Sequence, residues 1–196
     1  MKVLLLCPKA FETMEFSVFI DVIGWARNDF GHDIDVVTCG FQKTVISTFQ
    51  VPIQMDILID DIIVSDYDAL AIPGGFREFG FFDEGFDPKT KQLIREFDSQ
   101  GKPIASVCVA AFLLANSGIL KGRKATTYHM HQGIEQQKLA AYNVCVVDEP
   151  VVIDANVITS YCPQTAPDVA FALLEMLTTH EAMLEVKHAM GFEADS

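Results

Sequence analysis

A chain of 196 residues fits one domain with room for a sizeable core, and with 50% hydrophobic residues it is not a disordered chain. Its formal net charge of −13, with no basic patch, argues against nucleic acid and anionic membrane as partners. No apolar run is long enough for a membrane span, and residues 1–7 are too short for a signal segment, so the expected location is cytoplasmic.

In chain order, residues 2–7 read as a first buried strand. A loop through Glu12 and Met14 leads to a helix over 15–30, whose apolar positions Val18, Phe19, Val22, Ile23, Trp25 and Ala26 keep helical spacing. Glu15 lies on that apolar face, one turn before Val18 and Phe19, so its carboxyl is expected to point inward at the sheet end. The alternative is that Glu15 or Glu12 only complements the helix dipole. A second strand follows over 34–38. Residues 42–55 carry β-branched residues for one or two short edge strands, with Pro52 excluding a central one. Residues 56–68 are mixed and allow a short helical turn.

Residues 69–72 form another buried strand, closed by Pro73, Gly74 and Gly75. Two glycines at a strand end let the backbone approach a ligand and aim N–H groups at it. Residues 76–88, aromatic and acidic, are expected to be a loop or short helix covering the site or meeting a partner subunit. Residues 89–100 read as a helix with Leu93, Ile94 and Phe97 facing in.

Lys102 and Pro103 then open a β-branched run, 104–107, that passes at Cys108 into an Ala/Leu-rich helix ending near Gly118. Cys108 thus sits at the carboxyl end of a strand and the start of a helix, where ligands bind in open α/β sheets and where unpaired N–H groups favour an anion. Such a thiol is expected to lose its proton more easily than a free one. The geometry is that of a nucleophile elbow without its Gly-x-Ser-x-Gly pattern; the alternative is a small, inert core residue. A strand is expected over 125–128, then His129 and His131, then a helix over 134–141. Strands at 144–147, 151–154 and 157–160 precede helices at 166–177 and 181–190. His129 and His131 could share a strand face as metal ligands, but no third ligand at metal-like spacing accompanies them, and no metal or other cofactor is expected. Among the five cysteines there is no Cys-x-x-Cys pair, so neither a zinc site nor a disulfide framework is suggested. The alternation of strands and helices predicts a single α/β domain over 1–196, a mostly parallel sheet with helices on both faces.

Five short motifs, in order, carry a resemblance: Glu12-Thr-Met14-Glu15, Ala71-Ile-Pro-Gly74-Gly75, Ala105-Ser-Val-Cys108, Gly122-Arg-Lys-Ala-Thr126-Thr127, and Thr159-Ser160 with Pro163-Gln-Thr165. Together they resemble the ThiJ/PfpI superfamily over nearly the whole chain, closest to the branch holding the human parkinsonism-associated deglycase. The resemblance implies a flavodoxin-like three-layer α/β/α sandwich, related to class I glutamine amidotransferases and dimeric. It implies that Cys108 is the reactive elbow cysteine and that Glu15 hydrogen-bonds it, in the thiol and in the sulfinate form. It also implies an oxyanion corner from Gly74, Gly75 and the N–H of Val109. Where the protease branch carries histidine directly after the cysteine, this chain has Val109, which disfavours protease activity. Tyr128 occupies the family's usual histidine place and His129 lies one residue later; on a regular strand that shift faces the other side, and only a strand ending at Tyr128 lets His129 assist Cys108. The activities implied are glyoxalase- or deglycase-like attack on a small electrophilic carbonyl, a non-enzymatic redox sensor or chaperone, and, more distantly, isocyanide hydration. A homodimer is expected, with the aromatic residues of 76–86 and the first helix supplying apolar surface.

Overall fold

In a computed structural model, described for residues 1–192, the chain begins with strand β1 (Lys2–Leu6), whose Val3, Leu4, Leu5 and Leu6 are fully buried. A run without polar alternation is what a strand covered on both faces requires. Helix α1 (Thr13–Phe30) follows, burying Phe16, Phe19, Val22, Ile23 and Ala26 and stopping at Gly31, which takes the left-handed φ of 70° that glycine tolerates. Strand β2 (Asp35–Gly40) pairs parallel with β1.

Strands β3 (Thr44–Ile46) and β4 (Pro52–Gln54) form an antiparallel pair apart from the main sheet. They are therefore not edges of that sheet but a flap tied to the β1–α1 loop by Ala10 N–H to Ile46 and Thr48 N–H to Phe11. Strand β5 (Ile57–Leu58) ends one edge of the main sheet, and two 3-10 turns, Ile59–Asp61 and Val64–Asp66, lead to the central strand β6 (Ala69–Ile72). After a short helix α2 (Phe81–Gly85), helix α3 (Pro88–Ser99) is started by the Asp87 carboxylate accepting the Lys89 N–H and by Pro88 in its first turn. Strand β7 (Ile104–Ser106) passes through a 3-10 turn into helix α4 (Ala111–Ser117).

The strand expected over 125–128 is only β8 (Lys124–Ala125). Beyond it Thr126 and Thr127 are fully buried but take no place in a ladder, because side chains hold them: the Thr126 N–H donates to Thr159 Oγ1 and the Thr127 hydroxyl to the Cys108 carbonyl. Helix α5 (Met130–Ala140) is broken at its start, with positive φ at His131, Gln132 and Gly133, so its regular part begins at Ile134 as expected. Strand β9 (Cys145–Val146) pairs with β8 outside the main sheet. Strands β10 (Val151–Asp154) and β11 (Val157–Ser160) and helices α6 (Ala166–Leu177) and α7 (His180–Ala189) complete the chain.

The seven-stranded sheet runs β10-β11-β7-β6-β1-β2-β5, parallel except for β10. Helices α1, α6 and α7 pack together on one face and α3 with α4 on the other, giving three layers. Within it β2-β1-β6-β7-β11 is the flavodoxin-like order, whose direction of winding reverses between β1 and β6. No described helix is long and apolar enough to cross a membrane.

Candidate functional site

The loops leaving the carboxyl ends of β1, β6 and β7 meet where the winding reverses. Each brings one element of the site: Glu15 on the first turn of α1, Gly74 after β6, and Cys108 after β7. Cys108 has φ +56°, a left-handed conformation that costs a non-glycine residue about 1–3 kcal/mol. Parallel pairing of Ile72 with Ser106 sets the end of β7, and the buried Thr127 hydroxyl holds the Cys108 carbonyl at 2.8 Å. The kink lets the Val109 N–H donate to the Cys108 sulfur.

The 18-residue helix α1 starts with the Glu12 carboxylate accepting the Glu15 N–H at 2.8 Å, so Glu12 is its buried N-cap. Glu15 itself is fully buried. Its Oε2 accepts the Gly74 N–H at 2.6 Å, while Oε1 makes no well-directed hydrogen bond. Burial, and then the negative charge of Glu12, raise the Glu15 pKa from 4.5 to about 8, against the opposing pull of the Gly74 N–H and the Cys108 thiol. At neutral pH Glu15 keeps its proton.

Two expectations are corrected here. The Cys108 thiol is not made more acidic: burial raises its pKa first, Glu15 raises it further, and the Val109 N–H only partly opposes them. The desolvation of a sulfur anion outweighs one favourable N–H at the helix start. Nor is Gly74 a free anion donor, since its N–H is spent on Glu15. Gly74 is instead a spacer: a Cβ there would lie 2.6 Å from Glu15 Oε2 and 2.9 Å from both the Cys108 Cβ and the Val107 carbonyl oxygen. Gly75 is tighter, with 2.3 Å to the Phe81 ring and 2.4 Å to the Ala10 carbonyl oxygen. Because one neighbour is backbone and cannot yield cheaply, Gly75→Ala is expected to destabilise the fold by about 3 kcal/mol, the upper part of the usual overpacking range. Urea unfolding checks this; a loss under about 1 kcal/mol would mean that the loops carrying the site shift freely.

A cavity of about 430 Å³ opens above these groups. Glu15, Gly75, Cys108, Val109 and Tyr128 line it, with Phe76, Phe82, Ile134 and Pro163 as apolar walls and Arg77 and Lys138 among its charged lining. Burial raises the Tyr128 pKa, with Cys108 and then Cys162 adding to it, so its phenol is a donor at neutral pH and not a base. His129 is elsewhere. Although the strand ends early, its ring stacks at 3.9 Å on Tyr161, whose hydroxyl donates to Asp148 at 2.6 Å, and it does not line the cavity. His131 does line it, its ring 5.9 Å from that of Tyr128. The turn of positive φ that swings His131 inward has only Gly133 as a sequence signal, so no period in the sequence pointed to it. Among the described residues, no three of His, Cys, Asp and Glu gather to hold a metal ion.

The aromatic segment after β6 divides between roles: Phe81 is fully buried, Phe82 walls the cavity, and Phe76, on the cavity rim, is exposed with Phe79 beside Phe49.

Comparison with known proteins gives a consistent picture. A family model described as the DJ-1/PfpI family matches residues 1–176. A deglycase of Pyrococcus horikoshii is 30% identical over 165 residues, covering 83% of this chain and 91% of the relative. The dj-1beta protein of Drosophila melanogaster is 31% identical over 182 residues, covering 93% and 91%. Its crystal structure superimposes with a TM-score of 0.85 at 28% identity, covering 98% of each chain.

Proposed function

The chain belongs to the DJ-1/PfpI family, and from that premise we propose that it is a cysteine-dependent enzyme acting on small reactive carbonyls, in the manner of a glutathione-independent glyoxalase or deglycase. The observation that carries this reading is the strained Cys108 beside a buried, neutral Glu15 under an open cavity. The Cys108 sulfur adds to the aldehyde carbon of methylglyoxal, its proton passing to the new alkoxide, and a hemithioacetal forms. In this proposal the Gly75 N–H, and the Val109 N–H as it leaves the reacting sulfur, stabilise the developing oxyanion. The neutral Glu15 donates its proton to the neighbouring carbonyl oxygen while its other carboxyl oxygen takes the proton of the former aldehyde carbon, giving an enediol. It then protonates the second carbon and takes back the hydroxyl proton of the first, which leaves a thioester. Water cleaves that thioester to lactate and regenerates the thiol, so the net change is addition of one water. Relatives named deglycase support the carbonyl chemistry. Incubation with methylglyoxal is expected to yield lactate; intact methylglyoxal after hours at micromolar protein would overturn the proposal.

The second reading, a redox sensor whose Cys108 is oxidised, is favoured by the absence of His129 from the cavity; the raised thiol pKa slows oxidation as it slows attack on a carbonyl. One pair of substitutions weighs the two. Tyr128→His is expected to raise kcat more than it lowers KM, because general acid–base help is worth about 10²–10⁴-fold and a phenol supplies little of it near neutrality. His129→Ala is expected to leave kcat nearly unchanged. A large loss in His129→Ala with no gain in Tyr128→His would make His129 the working base. The working unit in this proposal is a homodimer, supported by the exposed cluster of Phe49, Phe76 and Phe79.

A further inference from the structure

We propose that Cys162 is the resolving thiol of Cys108, which gives the site a second activity: reduction of hydroperoxides through a Cys108–Cys162 disulfide. This rests on the reading of Cys108 as the reactive thiol, and not on carbonyl turnover. The argument begins with the sheet. Strands β7 and β11 are parallel neighbours with Ser106 paired to Thr159. Cys108 lies two residues beyond the first and Cys162 three beyond the second, so both leave the same sheet edge from strands about 4.8 Å apart. Disulfides join residues whose Cα atoms lie about 4.4–6.8 Å apart, a separation that neighbouring parallel strands with a one-residue offset allow at their ends, from which the Cys108 kink and the Cys162 turn continue.

Three further observations agree. Pro163, directly after Cys162, walls the cavity that Cys108 floors. Each of the two thiols acts electrostatically on Tyr128, and Cys162 on Cys108. Cys162 is also more accessible than Cys108, partly exposed where Cys108 is buried. It begins a short 3-10 turn, Pro163–Thr165, in which the Thr165 N–H donates to the Cys162 carbonyl at 3.0 Å and the Cys162 N–H to Thr165 Oγ1 at 3.2 Å. Those bonds use the Cys162 backbone, so rotation of its thiol about χ1 leaves them in place. The other cysteines are placed differently: Cys7 is fully buried just past the end of β1, its N–H donating to the Cys39 carbonyl, Cys39 is buried in β2, and Cys145 is exposed on β9.

The chemistry balances. The Cys108 thiol attacks the peroxide oxygen, the O–O bond breaks, and one water leaves as Cys108 becomes a sulfenic acid. The Cys162 thiol then attacks that sulfur, a second water leaves, and the disulfide forms. Two thiols lose two electrons and two protons to hydrogen peroxide, and a small dithiol reductant restores them.

The test uses the whole chain with stoichiometric hydrogen peroxide, then alkylation and non-reducing peptide mass spectrometry. The expected product is a cross-linked pair of Cys108 and Cys162 peptides that dithiothreitol releases. Cys162→Ser places a good N-cap residue at the start of that turn, so the fold survives. In that variant the sulfenate has no partner, and Cys108 is expected to accumulate as sulfinate at least about tenfold above the wild type. Equal sulfinate in both proteins, with no cross-link, overturns the resolving role while leaving lactate formation untouched. No oxidation of Cys108 in either protein overturns this proposal together with the reading of Cys108 as reactive.

Discussion

Cys108→Ser is expected to lower lactate formation from methylglyoxal by more than about 10³-fold while leaving the fold intact. Serine is nearly isosteric with cysteine, so the kink at φ +56° and the Thr127 hydrogen bond to its carbonyl persist. What changes is the nucleophile. A hydroxyl needs a base to attack a carbonyl at neutral pH, and residue 108 is hydrogen-bonded to none: Glu15 keeps its proton, Tyr128 is a phenol held above its ordinary pKa, His129 is stacked on Tyr161, and His131 lines the cavity with its ring against that of Tyr128. A thiol needs less help because sulfur is intrinsically nucleophilic, and a minor thiolate fraction suffices. Thermal unfolding followed by circular dichroism should match the wild type. Undiminished lactate in a folded Cys108→Ser protein would remove the covalent mechanism and leave redox sensing as the better account of a thiol at this position.

The second large effect concerns Glu15. Its pKa is 4.5 as an ordinary carboxyl and about 8 in the fold. The native state therefore binds a proton that the unfolded chain has lost, and this contribution to stability is full below about pH 4.5 and is lost as pH rises through about 8. Glu15→Gln keeps an oxygen to accept the Gly74 N–H and cannot ionise, so its urea stability is expected to lack that fall. The variant should gain on the wild type steadily between pH 5 and 8. Above pH 8, where the wild-type carboxylate is charged and opposes a second anion at Cys108, iodoacetamide should label Cys108 faster in Glu15→Gln. Lactate formation should nevertheless fall by about 10²–10⁴-fold, since an amide cannot shuttle a proton. Faster labelling with slower turnover is a split that a merely structural role would not give. Glu12→Gln, which alters a helix cap, should change labelling far less. A parallel loss of labelling and turnover in both variants would reduce Glu15 to a packing residue.

Much of this arrangement was legible along the chain. Continuous apolar runs such as Leu4 to Leu6 mark strands buried on both faces, and the three- and four-residue spacing of Phe19, Val22, Ile23 and Ala26 fixes the inner face of the first helix. These are local patterns whose cause, burial of apolar surface, acts residue by residue. The same logic placed Glu15 among apolar neighbours and Cys108 between strand and helix.

Properties that depend on where distant segments meet were not legible. The Gly74 N–H could be assigned to Glu15 only once β1 and β6 were neighbours in the sheet. The rise of the Cys108 pKa depends on how completely the site is dried, which a helix-start position in the sequence does not disclose. Thr126 and Thr127 carry the β-branched signature of a strand, yet side-chain hydrogen bonds to Thr159 and Cys108 take the place of a ladder. Because that strand stops at Ala125, the alternation rule cannot say which way His129 and His131 turn, and three successive positive φ values decide it. The sequence by itself determined the layers and the residue at the elbow, because both follow from local burial and strand–helix alternation. The tertiary structure alone decided the protonation of the Glu15–Cys108 pair, the donor left for an oxyanion and the histidine that reaches the cavity, because each depends on loops brought together across the sheet.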